Sequence, residues 1–179
     1  RHDGRTLGLC RDAVHAERGG TVEDGIHARA TKHPRQEIDP LIAAARDEMN
    51  AGRERIRDAP CAEVAVVGAA VGAAMGGMRP IVEFQFGDFM SVAIDQLTHQ
   101  AAMLRYLTGG QVSVPLVIRL PCGGGQGAGS QHSQSLYSWF AHVPGIKVLL
   151  PSTSMDAKAL MKAAIRDDNP VLFFEHKQL

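Results

Sequence analysis

Glu63 is the one charged residue in a run of alanine, valine, glycine and a single methionine that spans residues 62–77. Two chemistries are open to such a carboxyl. As an acid in the first turn of a helix it complements the macrodipole. Held in an apolar pocket, it would gain proton affinity and serve proton transfer near neutral pH. Position alone does not choose between them. A second feature is the loop Gly123-Gly124-Gly125-Gln126-Gly127-Ala128-Gly129, which follows an apolar run at 114–120. It lacks the Lys-Ser/Thr of a P-loop, and no acid follows a second strand in dinucleotide fashion. What it supports is a turn at the carboxyl end of a strand, where α/β proteins bind ligands. His132 lies directly beyond, in Gln131-His132-Ser133-Gln134-Ser135. An imidazole there could move a proton at neutral pH, but a lone histidine in a polar loop is more often a surface residue. His99 and His142 fall inside periodic segments and read as structural. Phe86 and Phe89 flank Gly87-Asp88 at a strand end, where core packing is the default.

These residues need a scaffold, and the order of elements predicts one. Residues 63–75 form a small-residue helix, stopped by Gly76-Gly77. Residues 81–86 read as a strand of β-branched and aromatic side chains. Helical periodicity runs over 89–107 before Gly109-Gly110. Strands follow at 114–120, 146–150 and 171–174, with a helix to Ile165 that Thr153 and Asp156 open in capping-box fashion. Helices alternating with nearly continuous apolar strands predict an α/β fold, a parallel sheet covered by helices on both faces. Gly68, Gly72 and Gly76 recur every fourth residue on the first helix. Glycine costs about 1 kcal/mol per helix-interior site, so the stripe predicts a close backbone approach, by the sheet or by a partner subunit.

Composition excludes several classes. Lysine plus arginine and aspartate plus glutamate number 19 each, so no basic footprint for nucleic acid or membrane is present. No stretch approaches the ~18 apolar residues of a spanning helix, and the first residues lack a secretory signal's apolar core. Cys10, Cys61 and Cys122 form no close pair, against a disulfide framework or zinc site. A reducing cytoplasm is the expected compartment. The chain begins at Arg1 without Met and stops at Leu179 just after an apolar run, so it reads as a piece of a longer protein.

From about Gly52 onward these motifs together resemble the beta subunits of thiamine-diphosphate-dependent 2-oxo acid dehydrogenases. Pro60-Cys61-Ala62-Glu63 followed by Val67-Gly68-Ala69-Ala70-Val71-Gly72 is similar to their Pro-Ile-Ser-Glu…Val-Gly-Ala-Ala-Val-Gly segment. The stretch at 80–89 resembles their strand and aromatic turn. Asp95-Gln96, Arg105-Tyr106 and Gly109-Gly110-Gln111 fit the next helix and turn. His132-Ser133-Gln134-Ser135, Phe140-Ala141-His142-Val143-Pro144-Gly145 and Pro151-Ser152-Thr153 fit as well, as do Asp167-Asp168-Asn169-Pro170 and Phe174-Glu175-His176-Lys177.

The resemblance implies a pyrimidine-binding domain like that of transketolase. Glu63 would hydrogen-bond the aminopyrimidine ring of thiamine diphosphate and favour the tautomer that deprotonates the thiazolium carbon, the cofactor then acting as electron sink. Phe86, with Phe89 behind it, would stack on the pyrimidine. His132 would donate a proton as the acyl group passes to a lipoyl arm. The substrate would be a 2-oxo acid, pyruvate first, with branched-chain 2-oxo acids or acetoin as alternatives. Potassium would sit on the backbone carbonyls of Leu116, Ala164, Ile165, Asp167 and Asn169. Magnesium and diphosphate would be held by an alpha subunit, since no Gly-Asp-Gly…Asn motif occurs here and Gly87-Asp88 continues with Phe89. The resemblance therefore implies a heterotetramer of two alpha and two beta chains serving a lipoyl acyltransferase.

Two departures set the domain reading. Residues 1–51 do not reproduce the family's strand ending in Gly-Glu-Asp or its Gly-Gly turn, and are expected to be an atypical segment, disordered or misread. Residues 52–179 are expected to form the pyrimidine-binding domain, with the family's C-terminal domain expected to be absent after Leu179. A chain with such an N-terminus could also be a non-catalytic assembly subunit.

Overall fold

Short β-branched strands bounded by glycine and proline form extended elements, and each must bury its apolar faces. The computed structural model describes the backbone of Gly8–Leu9 and residues 55–179. The expectation that 1–51 is disordered or misread otherwise lies outside the described residues. Strands β1 (Gly8–Leu9), β2 (Ile56–Arg57), β3 (Ile81–Glu83), β4 (Val117–Cys122), β5 (Lys147–Leu149) and β6 (Val171–His176) form one sheet in the order β2-β1-β3-β4-β6-β5. Every pairing is parallel, with Ile81 opposite Val117 and Val117 opposite Val171. The helices are α1 (Glu63–Met75), α2 (Leu104–Leu107), α3 (Tyr137–Ala141) and α4 (Ser154–Arg166).

Side-chain alternation sends the strands' apolar residues to two cores. Val82, Phe84, Ile118, Leu120, Leu172 and Phe174 meet Val66, Val67, Ala70, Val71 and Ala74 of α1 on one face. Val117, Val171 and Phe173 meet Met161, Ala164 and Ile165 of α4 on the other. Burial of one such large side chain contributes about 1.5–3 kcal/mol, so both faces are closed and the expected α/β architecture is what forms. Thr153 caps α4 as expected, its hydroxyl accepting from the Asp156 amide at 3.1 Å and donating to the Asp156 carboxylate at 2.8 Å. Hydrogen bonds from Thr153 and Ser152 hold that exposed carboxyl below the usual carboxylate range.

Several boundaries differ from the sequence expectation, including the strands foreseen at 146–150 and 171–174, which span Lys147–Leu149 and Val171–His176. The strand foreseen at 114–120 begins after Pro115, which has no amide for a ladder, and runs on to Cys122. The strand at 81–86 leaves the ladder after Glu83. The helix foreseen at 89–107 is broken into a 3-10 turn (Gly87–Ser91), a π segment (Gln96–Ala101) and α2. Its periodicity survives because Ala93, Leu97 and Ala101 all remain buried. The apolar pattern records which side meets the core, not which hydrogen bonds close the turns.

Gly145 lies against the end of the π segment. Its φ is +92°, and a Cβ there would meet the Ala102 carbonyl oxygen at 2.2 Å. A left-handed φ costs a side-chain-bearing residue about 1–2 kcal/mol, and the backbone obstacle cannot rotate away. Gly145→Ala is expected to destabilise the domain by about 2–3 kcal/mol, read as a lower urea midpoint with unchanged slope.

The glycine stripe of α1 has a different surrounding from the one expected of a sheet contact. A Cβ at Gly68 would meet only the Gln96 side chain, at 3.4 Å, and one at Gly72 would meet nothing within 4 Å. Among the described residues no backbone of another element lies within 4 Å of a Cβ at either position, and the same face exposes Val64 and Met75.

Candidate active site

Parallel strands place their following loops on one edge, and four of these loops carry the residues of interest. Glu63 opens the helix that follows β2. Phe86, Asp88 and Phe89 follow β3, His132 follows β4, and Lys177 follows β6. The connections leave β1 and β3 in opposite directions along the sheet. Crevices outside the carboxyl ends at such reversals are where open α/β sheets hold ligands.

Phe86, Phe89 and His132 form one aromatic cluster. Ring centroids lie 4.4 Å apart for Phe86 and His132, 5.5 Å for Phe89 and His132, and 5.8 Å for the two phenylalanines, all edge to face. Phe86 is buried, with Lys177 Nζ 4.7 Å from its ring centroid, and Phe89 is half-buried, packed against the core. Glu63 is half-buried in the first turn of α1, and its carboxylate makes no hydrogen bond or ion pair among the described residues.

Charge enters the cluster through Lys177 and Asp88, both buried. Lys177 donates to the His132 carbonyl. Burial pulls its ammonium below the usual lysine range, opposed by Asp88 and Cys122. Burial likewise pushes the Cys122 thiol up, against a hydrogen bond with Ser135 and the nearby Lys177. Asp88 accepts from the Gln134 amide at 3.1 Å through Oδ1, while its buried Oδ2 has no partner. Beneath this layer Arg119 donates to Glu175 and, at 2.6 Å, to Glu83. Burial raises the Glu175 carboxyl, with Arg119 acting against it.

The sequence reading did not assign roles to Lys177, Asp88 or the Arg119 triad. A signal existed for the triad: an arginine inside the apolar run of β4 and a glutamate after Phe174 each demand a counter-charge.

The five carbonyls named for potassium lie close in sequence to the ends of β4, α4 and β6, and four of them, those of Leu116, Ala164, Ile165 and Asp167, already have donors. Arg79 donates to the Ile165 and Asp167 carbonyls, at 2.7 Å each, and to the Asp168 carboxylate at 3.0 Å. The Leu116 carbonyl accepts from the Val171 amide at 2.8 Å, and that of Ala164 from the Asp167 amide at 3.2 Å. Burial pushes the Asp167 carboxyl up, but hydrogen bonds from Lys147 and Asn169 outweigh it and hold the group low. A guanidinium thus supplies positive charge at this loop. Among the described residues no group of three or more His, Cys, Asp or Glu could hold a metal ion, and no helix is long and apolar enough to cross a membrane.

Comparison with known proteins bears on this edge. The family model described as transketolase, pyrimidine binding domain, matches residues 10–179. The chain belongs to this family. The domain is 52% identical over 127 residues to the 2-oxoisovalerate dehydrogenase subunit beta of Bacillus subtilis, covering 71% of this chain and 39% of that protein. It is 53% identical over 126 residues to the acetoin:2,6-dichlorophenolindophenol oxidoreductase subunit beta of Cupriavidus necator, covering 70% and 37%. With the mitochondrial pyruvate dehydrogenase E1 component subunit beta-2 of rice, Oryza sativa subsp. japonica, it shares 50% over 128 residues, covering 72% and 34%. The pyrimidine-binding domain thus spans little more than a third of the length of these relatives. Among solved structures it resembles a split gene transketolase described as an inactive beta4 tetramer, with a TM-score of 0.62 at 16% identity, covering 97% of this chain and 45% of that one. That likeness shows the fold.

Proposed function

We propose that this domain supplies the pyrimidine side of a thiamine diphosphate site in the beta subunit of a 2-oxo acid dehydrogenase. The observation that carries the reading is the edge just described. A carboxylate with no partner among the described residues at the start of an apolar helix, a pair of phenylalanine rings and a histidine against them follow three strands of one parallel sheet. These groups suit an aminopyrimidine: a ring to stack on, and a carboxylate to share a proton with a ring nitrogen. The three relatives named above, all beta subunits, support the same reading.

Thiamine diphosphate, when bound, supplies the electron sink for decarboxylation. The chain's own groups do the rest. Glu63 holds a proton at the pyrimidine nitrogen, and Phe86, with Phe89 beside it, fixes the plane of the ring. His132, with no partner on either ring nitrogen among the described residues, is free to deliver a proton as the acyl group leaves for lipoyl. Pyruvate ranks first as substrate, with 2-oxoisovalerate and acetoin represented among relatives of near-equal identity. Magnesium diphosphate falls to an alpha subunit, for which the open glycine face of α1, with exposed Val64 beside it, offers an approach.

Stacking and one carboxylate contact give weak binding, on the order of millimolar. Calorimetry with thiamine diphosphate and magnesium is expected to show affinity at least about a hundredfold higher, some 2.7 kcal/mol, once an alpha subunit is added. The assembled complex should then reduce dichlorophenolindophenol with pyruvate, 2-oxoisovalerate or acetoin. Micromolar binding by the chain alone would contradict the half-site reading.

A further inference from the structure

The His132 loop is held at its backbone by two buried side chains of opposite charge, brought from different strands. Lys177, just past β6, donates to the His132 carbonyl. Asp88, in the 3-10 turn past β3, accepts from the Gln134 amide at 3.1 Å. The loop has further ties: the Gly123 amide donates to the Gln134 carbonyl at 3.2 Å, and Ser135 hydrogen-bonds the Cys122 thiol. Both jaws are themselves fixed. The Lys177 amide donates to the Cys122 carbonyl at 3.0 Å, its carbonyl accepts from Gln126 at 3.0 Å, and Ser91 donates to the Asp88 carbonyl at 3.0 Å.

We propose that Lys177 and Asp88 form a clamp that positions His132 for proton transfer. The histidine needs such a device. The segment before it contains Gly123, Gly125, Gly127 and Gly129, all at positive φ, and glycine gives a loop the most backbone freedom to lose. Its imidazole has no hydrogen bond among the described residues to fix it, only the edges and faces of Phe86 and Phe89. A misplacement near 1 Å can cost a reaction on the order of a hundredfold, so the backbone must be pinned. Lys177 adds a second restraint by covering the Phe86 ring, against which the imidazole lies. Lys177 and Asp88 touch neither substrate nor cofactor in this scheme; they are positioning residues. The catalytic part of the proposal rests on the function proposed above.

The test compares Lys177→Met, Asp88→Ala and the double variant, each assembled with an alpha subunit, with Lys177→Gln in place of Lys177→Met if that chain does not assemble. Each single change is expected to lower kcat for acylation of a lipoyl domain about tenfold while its KM holds within about twofold. The double variant should be no slower than the slower single one, because the two jaws act as a unit. Amide exchange at 132–135 should accelerate in every variant, Gln134 included when only Lys177 is changed. Unchanged exchange in Lys177→Met would overturn the clamp, as would multiplicative losses in the double variant or a loss confined to KM. If the unaltered complex acylates no lipoyl domain, the functional reading fails, and the exchange data still decide whether the clamp exists.

Discussion

Glu63→Gln is expected to lower turnover of the assembled complex by about two to four powers of ten, the scale of a lost acid–base group. Glutamine keeps the shape and a hydrogen-bonding oxygen but cannot share a proton with a pyrimidine nitrogen. Glu63 makes no hydrogen bond or ion pair among the described residues, so replacing it removes no contact of the fold seen here. What the fold loses is only the favourable placement of a negative charge in a helix's first turn, about 0.3–1 kcal/mol. Assembly should therefore survive while pyruvate-dependent dye reduction disappears. More than about a tenth of the original rate would remove the carboxylate from the chemistry.

Arg119→Met should have the largest effect on stability, a loss of about 3–5 kcal/mol, because breaking a buried ionic network strands its other members. Arg119 is 1% exposed and bridges Glu83 and Glu175, the latter 2% exposed. Removing the guanidinium leaves two carboxylates near one another, one of them far from water. The pH dependence has a definite sign. Burial already raises the Glu175 carboxyl, so the folded state holds its proton more tightly than the unfolded chain does. Stability from that proton is fully present below the unfolded glutamate pKa of about 4.3 and is lost as pH rises through the folded value. Loss of Arg119 removes the opposing charge and pushes the carboxyl further up. Urea unfolding should show the variant's deficit growing from mildly acid towards neutral pH, and Glu175→Leu added to Arg119→Met should restore part of the loss. A deficit independent of pH would mean that packing, not stranded charge, dominates.

Much of this was legible in the sequence, for identifiable reasons. Strands β4 and β6 are buried on both faces, so their apolar runs are nearly continuous and visible. Helix α1 ends at its glycines, and Thr153 announces α4 through a local hydrogen bond. Strand β1 was not legible: two residues carry no period, and they join the sheet only through neighbours far along the chain. The breaks in 87–107 were hidden because a 3-10 turn and a π segment keep the same residues inward. The resemblance picked out Glu63, Phe86, Phe89 and His132, but that the two phenylalanines and the histidine meet in one cluster needed coordinates, since His132 follows a different strand. The clamp was invisible for the same cause. Lys177 and Asp88 approach from the ends of different strands, and nothing local in either neighbourhood signals the other.

The placement of β1 carries a consequence for how the chain reaches its native state. Gly8 pairs with Ile56 on one side and with Ile81 on the other. The strand nearest the start of the chain must therefore wait, unpaired along both edges, until residues far downstream have been made. Pairings this distant in sequence close slowly, since the entropy of a long loop is lost before any contact repays it. Slow docking of β1 between its two partners leaves their edges open in the meantime, the kind of edge that recruits other chains, and makes misassembly there a hazard of folding.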